Sequence, residues 1–192
     1  MQITIKNFIL SIIFIYLIYT ALSIGTMWDA GYHLLQGKNK LNFFLRLGQV
    51  KEEFYFDKYI PGISYTITAF IINIFPKKFE FEALHLINML ISLTAIYGLK
   101  NITRLIFNKR VSVIIFFLFI FFPAFFGHMA INPKDTIFTV SFIWVSYYVL
   151  KYLIKKNIQN NNLSYLLKIS FLIALGSGVR LGFPALLLPL TV

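Results

Sequence analysis

Charged residues fall in clusters along this chain and leave charge-free windows at 7–28, 59–76, 83–99, 111–133 and 136–150. A helix that spans a bilayer takes about 20 predominantly apolar residues, with a range of roughly 17 to 25. Most of the windows meet that length, and 136–150 meets it with help from its flanks. The pattern predicts an all-α fold, a polytopic transmembrane helix bundle. The first apolar run, 8–24, is longer than the roughly 7 to 15 residues of a signal-peptide core. Thr20-Ala21-Leu22-Ser23 is a poor cleavage site, so this run reads as an uncleaved first helix.

Short loops rich in Lys and Arg stay on the cytoplasmic side. Residues 100–110 carry Lys100, Arg104, Lys109 and Arg110 without an acid, and 151–168 carry Lys151, Lys155, Lys156 and Lys168 without one. With both anchored inside, the helix 111–126 leads out, the loop 127–135 is external, and the helix from 136 to about 153 returns. Residues 83–99 then run inward, 76–82 lie outside, and the polar island 25–58 is external as well. Segment 59–76 is left with both ends on one face. It opens with Ile60-Pro61-Gly62, contains Ser64, Thr66, Thr68 and Asn73, and closes at Pro76. Such a segment is expected to lie in the interface or to re-enter under protein cover. If it crosses instead, Asp29 and Asp135 part to opposite faces.

The island 25–58 holds four of the seven acidic residues of the chain. Within it Leu34, Leu35, Leu41, Phe43, Phe44, Leu45 and Leu47 punctuate Lys38, Lys40, Arg46 and Lys51. Apolar side chains interleaved with cations suit a helix lying on the membrane surface. The external first loop is therefore expected to contain interfacial helices.

Composition agrees with the pattern. The chain is 58% apolar and 13% charged, with 22 Phe, whereas soluble domains carry about 25% charged residues. A net charge of +11 would suggest nucleic acid in a soluble protein. Here the cations sit mainly in short loops between apolar runs, which reads as topology signal and contact with membrane lipids, with no nucleic-acid partner. The absence of Cys excludes disulfides, zinc-thiolate sites and a cysteine nucleophile. After Arg180 the sequence continues apolar to Val192 without the flanking anchor that closes a spanning helix. Residues 1–192 are accordingly expected to be one transmembrane domain, the N-terminal part of a longer module.

A few polar residues stand out against this background. Asp29 and His33 are four residues apart and share a face if the segment is helical. They suit a general base with a polar helper or two ligands of a divalent ion, and Asp29 equally suits a helix N-cap. Asp135 follows Asn132-Pro133-Lys134 at the start of an apolar run. That is ordinary capping chemistry, or a second acid facing Asp29 across an external cleft. Arg180, in Gly176-Ser177-Gly178-Val179-Arg180, is a cation deep in an apolar run. It either snorkels to the interface or grips a phosphate, for which its bidentate fork is suited. His85, one turn into a helix beginning near Glu82, reads as a packed or interfacial histidine.

Taken in order, these residues resemble a known family. An acid just beyond the first helix, in Trp28-Asp29-Ala30-Gly31-Tyr32-His33, is followed by Lys58-Tyr59-Ile60-Pro61-Gly62 leading into an apolar segment. Then come a helix ending in basic residues, a run closing in Phe122-Pro123-Ala124-Phe125-Phe126-Gly127-His128, and Asn132-Pro133-Lys134-Asp135. The order resembles the N-terminal module of C-type membrane glycosyltransferases, nearest to the dolichyl-phosphate-mannose protein mannosyltransferase and aminoarabinose transferase group. Those families show a Pro-Pro pair where this chain has Pro61-Gly62, and a double acid where it has Asp29-Ala30.

The resemblance implies a transferase acting on a polyprenyl-phosphate-linked sugar donor and a protein or lipid acceptor. The membrane would be a bacterial inner or plasma membrane or its equivalent, with the site on the non-cytoplasmic face. By that likeness Asp29 is the base that accepts the acceptor's proton, and Asp135 is the second-loop acid near the donor. Arg180 and Lys134 hold the donor phosphate, with His33 and His128 as polar helpers. Some relatives use a divalent metal and others do not, and Asp29 with His33 does not decide the matter. Three readings outside an active transferase are an inactive fragment of one, a transporter or flippase-like protein whose acids and Arg180 line a path, and a small membrane scaffold.

Overall fold

The computed structural model describes residues 2–27, 30–48, 61–154 and 162–190. Among these it is all-helical: α1 (Gln2–Ser23), α2 (Ala30–Leu45), α3 (Ile63–Ile72), α4 (Glu80–Ile106), α5 (Lys109–Ile120), α6 (Pro123–Ile131), α7 (Pro133–Ile154), α8 (Asn162–Ser177) and α9 (Phe183–Leu186). Two segments, Lys77–Ile106 and Pro133–Ile154, are each long and apolar enough to cross a membrane, and the bent pair of α5 and α6 makes a third if it is one span. The protein is an all-α membrane helix bundle, as the apolar windows predict.

Helix α4, with 27 residues, is about 40 Å long and forms the axis. Its buried faces carry Ala, Ser and Gly, which let neighbouring backbones come close in a medium where water drives no association. Ser92, Ala95 and Gly98 are all buried, and a Cβ built on Gly98 would stand 2.8 Å from the Ile143 side chain of α7. On another side Met89 and Ile96 pack with Leu17 and Ala21 of α1, Ile120 of α5, and Met129 and Ala130 of α6.

The structure departs from the sequence expectation at 111–135. One helix over 111–126 was predicted, with a loop beyond it. The helix instead breaks at Phe121 and Phe122, resumes at Pro123 through Ile131, and turns by 63°. Pro123 has no N–H to continue the ladder, and its fixed φ suits the first position of a new helix. Asn132 alone separates α6 from α7. Similarly, the basic stretch 100–110 is helical except at Phe107 and Asn108, where the Asn108 side chain caps α5 by accepting from the Val111 N–H at 3.0 Å.

The C-terminal carbonyls of α6 would be orphaned inside the bundle. Two side chains of α4 donate to them: Asn88 Nδ2 to the Ala130 carbonyl at 3.0 Å and Ser92 Oγ to the Met129 carbonyl at 3.1 Å. Asn88 is fully buried, so Asn88→Ala leaves a buried carbonyl without a donor and is expected to cost about 1–3 kcal/mol. Denaturant titration of the purified protein in detergent checks this, and an unchanged midpoint would show that the bend is held otherwise.

Helix α3 has ten residues, reaching about 15 Å, half the roughly 30 Å of a hydrocarbon core. It lies against α2 at close range, since a Cβ on Gly37 would fall 2.3 Å from the Tyr65 carbonyl oxygen. Helix α2 is the helix expected from the Leu and Phe residues of the first loop, and it buries Ala30, Leu34, Gly37 and Leu41. Lys38 Nζ pairs with Glu80 Oε1 at 2.7 Å, tying α2 to the head of α4.

Candidate functional site at the head of helix α7

Asp135 sits in the first turn of α7 because Asn132 caps it there. The Asn132 Oδ1 accepts from the Asp135 backbone N–H at 3.1 Å, and its Nδ2 donates to Asp135 Oδ2 at 2.9 Å. Pro133 fills the first helical position, where a missing N–H costs nothing. The first of the two Asn132 bonds is an N-cap, satisfying one orphan N–H of the helix start, and the second ties the two side chains together. Together they leave Asp135 Oδ1 pointing away from the helix, where Arg180 Nη2 donates to it at 2.5 Å.

Arg180 reaches that point from a tightly folded turn. Helix α8 ends at Ser177, and the N–H groups of Val179 and Arg180 both donate to the Gly176 carbonyl at 3.1 Å. The Gly178 carbonyl accepts from the Ile63 N–H at 3.1 Å, which fastens the turn to the start of α3. The glycines are needed for space: a Cβ on Gly176 would stand 2.6 Å from the Phe183 ring, and one on Gly178 would stand 2.5 Å from Ile63 Cγ2. Val179 and Phe183 are fully buried on either side. The turn is thus anchored, while the Arg180 side chain is left projecting.

The guanidinium lies over the Phe138 ring, 5.5 Å from its centroid. Phe138 is one helical turn beyond Asp135, so a single face of α7 presents both the carboxylate and the ring. Side-chain exposures of 51% for Arg180 and 49% for Asp135 leave both groups within reach of a ligand. At that exposure an ion pair contributes at most about 1 kcal/mol to stability. Its value lies in fixing the cation's direction.

On its other side Asp135 joins a pocket of about 340 Å³. Phe119, Phe122 and Phe125 of the α5–α6 break give it an aromatic wall, and His128, Asn132, Thr136 and Thr139 give it a polar one. Ser92 of α4 lines it as well, its hydroxyl 3.4 Å from that of Thr136. The site therefore combines an apolar surface with a cluster of donors and acceptors beside one cation.

The structure brings Asp135, Arg180 and His128 into this region and places Lys134 partly buried in the same helical turn. His33 stacks on Tyr65 of α3, with ring centroids 4.7 Å apart. Asp29 and the acidic, aromatic stretch 52–57 lie outside the described residues. Among the described residues no three His, Cys, Asp or Glu side chains gather as a metal site would require. His85 is buried in α4, as expected of a packed histidine. Sequence reasoning missed Phe138 and the holding role of Asn132. The signal for both was spacing: three residues before Asp135 and three after it.

An all-helical membrane bundle that sets a carboxylate-held arginine beside an amphipathic pocket at a helix head is a membrane protein with a polar site at one end. The chain belongs to the dolichyl-phosphate-mannose-protein mannosyltransferase family, whose profile matches residues 61–192, more than half of its length. That family is one of membrane glycosyltransferases. The match takes in Lys134, Asp135 and Arg180 and begins after Asp29. No significant match to the chain was found among curated proteins or among solved structures.

Proposed function

We propose that the chain transfers a sugar from a polyprenyl-phosphate donor to a hydroxyl of a protein or lipid acceptor on the outer face of the membrane. The observation that carries this reading is Arg180, held over Phe138 by Asp135, the residue whose other side borders a pocket with one aromatic and one polar wall. A guanidinium suits a phosphate because it donates two parallel hydrogen bonds to two oxygens. Apolar surface beside it suits an isoprenoid tail.

In the reaction the acceptor hydroxyl loses its proton to the Asp29 carboxylate, and its oxygen bonds to the anomeric carbon. The bond from that carbon to the phosphate oxygen breaks, and the electron pair leaves with the polyprenyl phosphate. Arg180, assisted by Lys134, stabilises the charge that grows on this leaving group, the kind of preorganised electrostatic help that contributes most in a site sheltered from water. Use of one carboxylate as base and none as nucleophile gives inversion at the anomeric carbon. Asp135 orients Arg180. A transport path would instead set its ionisable groups near mid-span on interrupted helices, whereas Asp135 is in the first turn of α7.

The test uses the full chain in liposomes with polyprenyl-phosphate-linked mannose labelled in the sugar. Consumption of the donor with release of polyprenyl phosphate, dependent on added acceptor peptide or lipid, is the expected result. Donor that is not consumed with any acceptor, alongside movement of label across the bilayer, would replace this reading with transport.

A further inference from the structure

The opposite end of α7 carries a second cationic cluster that plays no part in the proposed transfer. Lys151 is sixteen residues beyond Asp135 on the same helix, about 24 Å along its axis. Its Nζ lies 5.4 Å from the centroid of Tyr147 and 5.6 Å from that of Tyr165 on α8. Lys168 of α8 places its Nζ 5.9 Å from the same Tyr165 ring and 5.6 Å from Tyr148. Two ammonium groups thus share one tyrosine. Two cations gathered about one ring make a positively charged patch to which an anion is attracted.

Among the described residues no carboxylate pairs with either lysine. Residues 136–192 contain no Asp or Glu, and the ion pairs recorded among the described residues, Lys38 with Glu80 and Arg180 with Asp135, involve neither lysine. The rings also form a contiguous row. Tyr97, Trp144, Tyr148 and Tyr165 follow one another across α4, α7 and α8 with centroids 6.3, 5.9 and 6.1 Å apart. Tyr and Trp collect at the headgroup depth of a bilayer because they pair an apolar body with a polar tip. On α8, Leu167 and Phe171 stand on the flanks of Lys168 with 61% and 66% of their surface exposed.

We infer that Lys151 and Lys168 form a binding site for the headgroup phosphate of an anionic phospholipid, with an acyl chain lying along Leu167 and Phe171. The anion comes from the bilayer because the cations sit among Tyr and Trp rings and beside exposed apolar surface. A soluble phosphate would gain nothing from Leu167 and Phe171.

Binding of phosphatidylglycerol and of phosphatidylcholine to the detergent-purified full chain, titrated by native mass spectrometry, tests this. One cation near an anionic surface is worth about fivefold in binding, so Lys151→Gln with Lys168→Gln should lose roughly twenty-five-fold for phosphatidylglycerol and little for phosphatidylcholine. The paired Lys→Arg variant should keep the preference, which separates lost charge from misfolding, and Lys77→Gln with Lys78→Gln should leave it unchanged. Equal retention of both lipids by the wild type would overturn the proposal. So would displacement of the lipid by inorganic phosphate at millimolar concentration, which would assign the site to a soluble anion. No outcome depends on sugar transfer, so its failure is separate from failure of the transferase reading.

Discussion

Arg180→Gln is expected to lower sugar transfer about a hundredfold or more while leaving the fold intact. Loss of one donor from a site that stabilises developing negative charge costs about 10²–10³ in rate, and Arg180 is the cation aimed outward at the head of α7. The fold should survive because its anchors are Val179, Phe183 and the backbone of the Gly176 turn, none of which the substitution touches. The half-exposed ion pair itself contributes little. Arg180→Lys keeps a charge but loses the planar fork and its stacking on Phe138, so an intermediate loss of roughly tenfold is expected. Asp135→Asn provides the contrast that separates orientation from chemistry. It leaves Arg180 charged but no longer held, so the donor KM should rise more than kcat falls. Initial rates over a range of donor concentration decide the matter. Arg180→Gln at full wild-type rate would remove the phosphate from this end of the bundle.

The elements that were legible in the sequence are those that a continuous apolar run defines. Windows 83–99 and 136–150 became α4 and α7, because crossing a bilayer requires an uninterrupted stretch and charged residues mark its ends. The break between α5 and α6 was hidden from hydropathy, since both halves and the Phe121-Phe122 junction are apolar, and Pro123 was its one local signal. Hydropathy does not change where the axis turns. What holds the bend, Asn88 and Ser92 on α4, lies 42 and 37 residues away from the carbonyls they serve, and a local reading does not reach that far.

The site shows the same division. Asn132, Pro133, Lys134 and Asp135 form a helix start that the spacing announces, and Arg180 is conspicuous as a cation among apolar residues. That the two meet across 45 residues depends on how α8 returns along α7 and how Gly178 fastens its turn to α3. Phe138 was masked by abundance. One ring among 22 Phe carries no signal until a cation is found above it.

Asp29→Asn is expected to reduce turnover by about 10²–10⁴, the range that a positioned general base contributes, with donor binding unchanged. The amide keeps the size and shape of the side chain and removes its charge and its ability to take a proton. The loss should therefore appear in kcat and persist at saturating donor, the reverse of the Asp135→Asn pattern. The interpretation requires both acids on one face of the membrane, and the Cys-free chain allows that to be measured directly. Asp29→Cys, Leu105→Cys and Asp135→Cys, made singly and treated from outside with an impermeant thiol reagent, should label at 29 and 135 and remain unlabelled at 105. Helix α3 is short enough to leave the two acids on the same side without a crossing. Labelling of 29 and 135 from opposite sides would mean that no single site contains both. Asp135 and Arg180 would then have to find their base elsewhere, among the polar side chains of the pocket they already border, with His128 the first to replace.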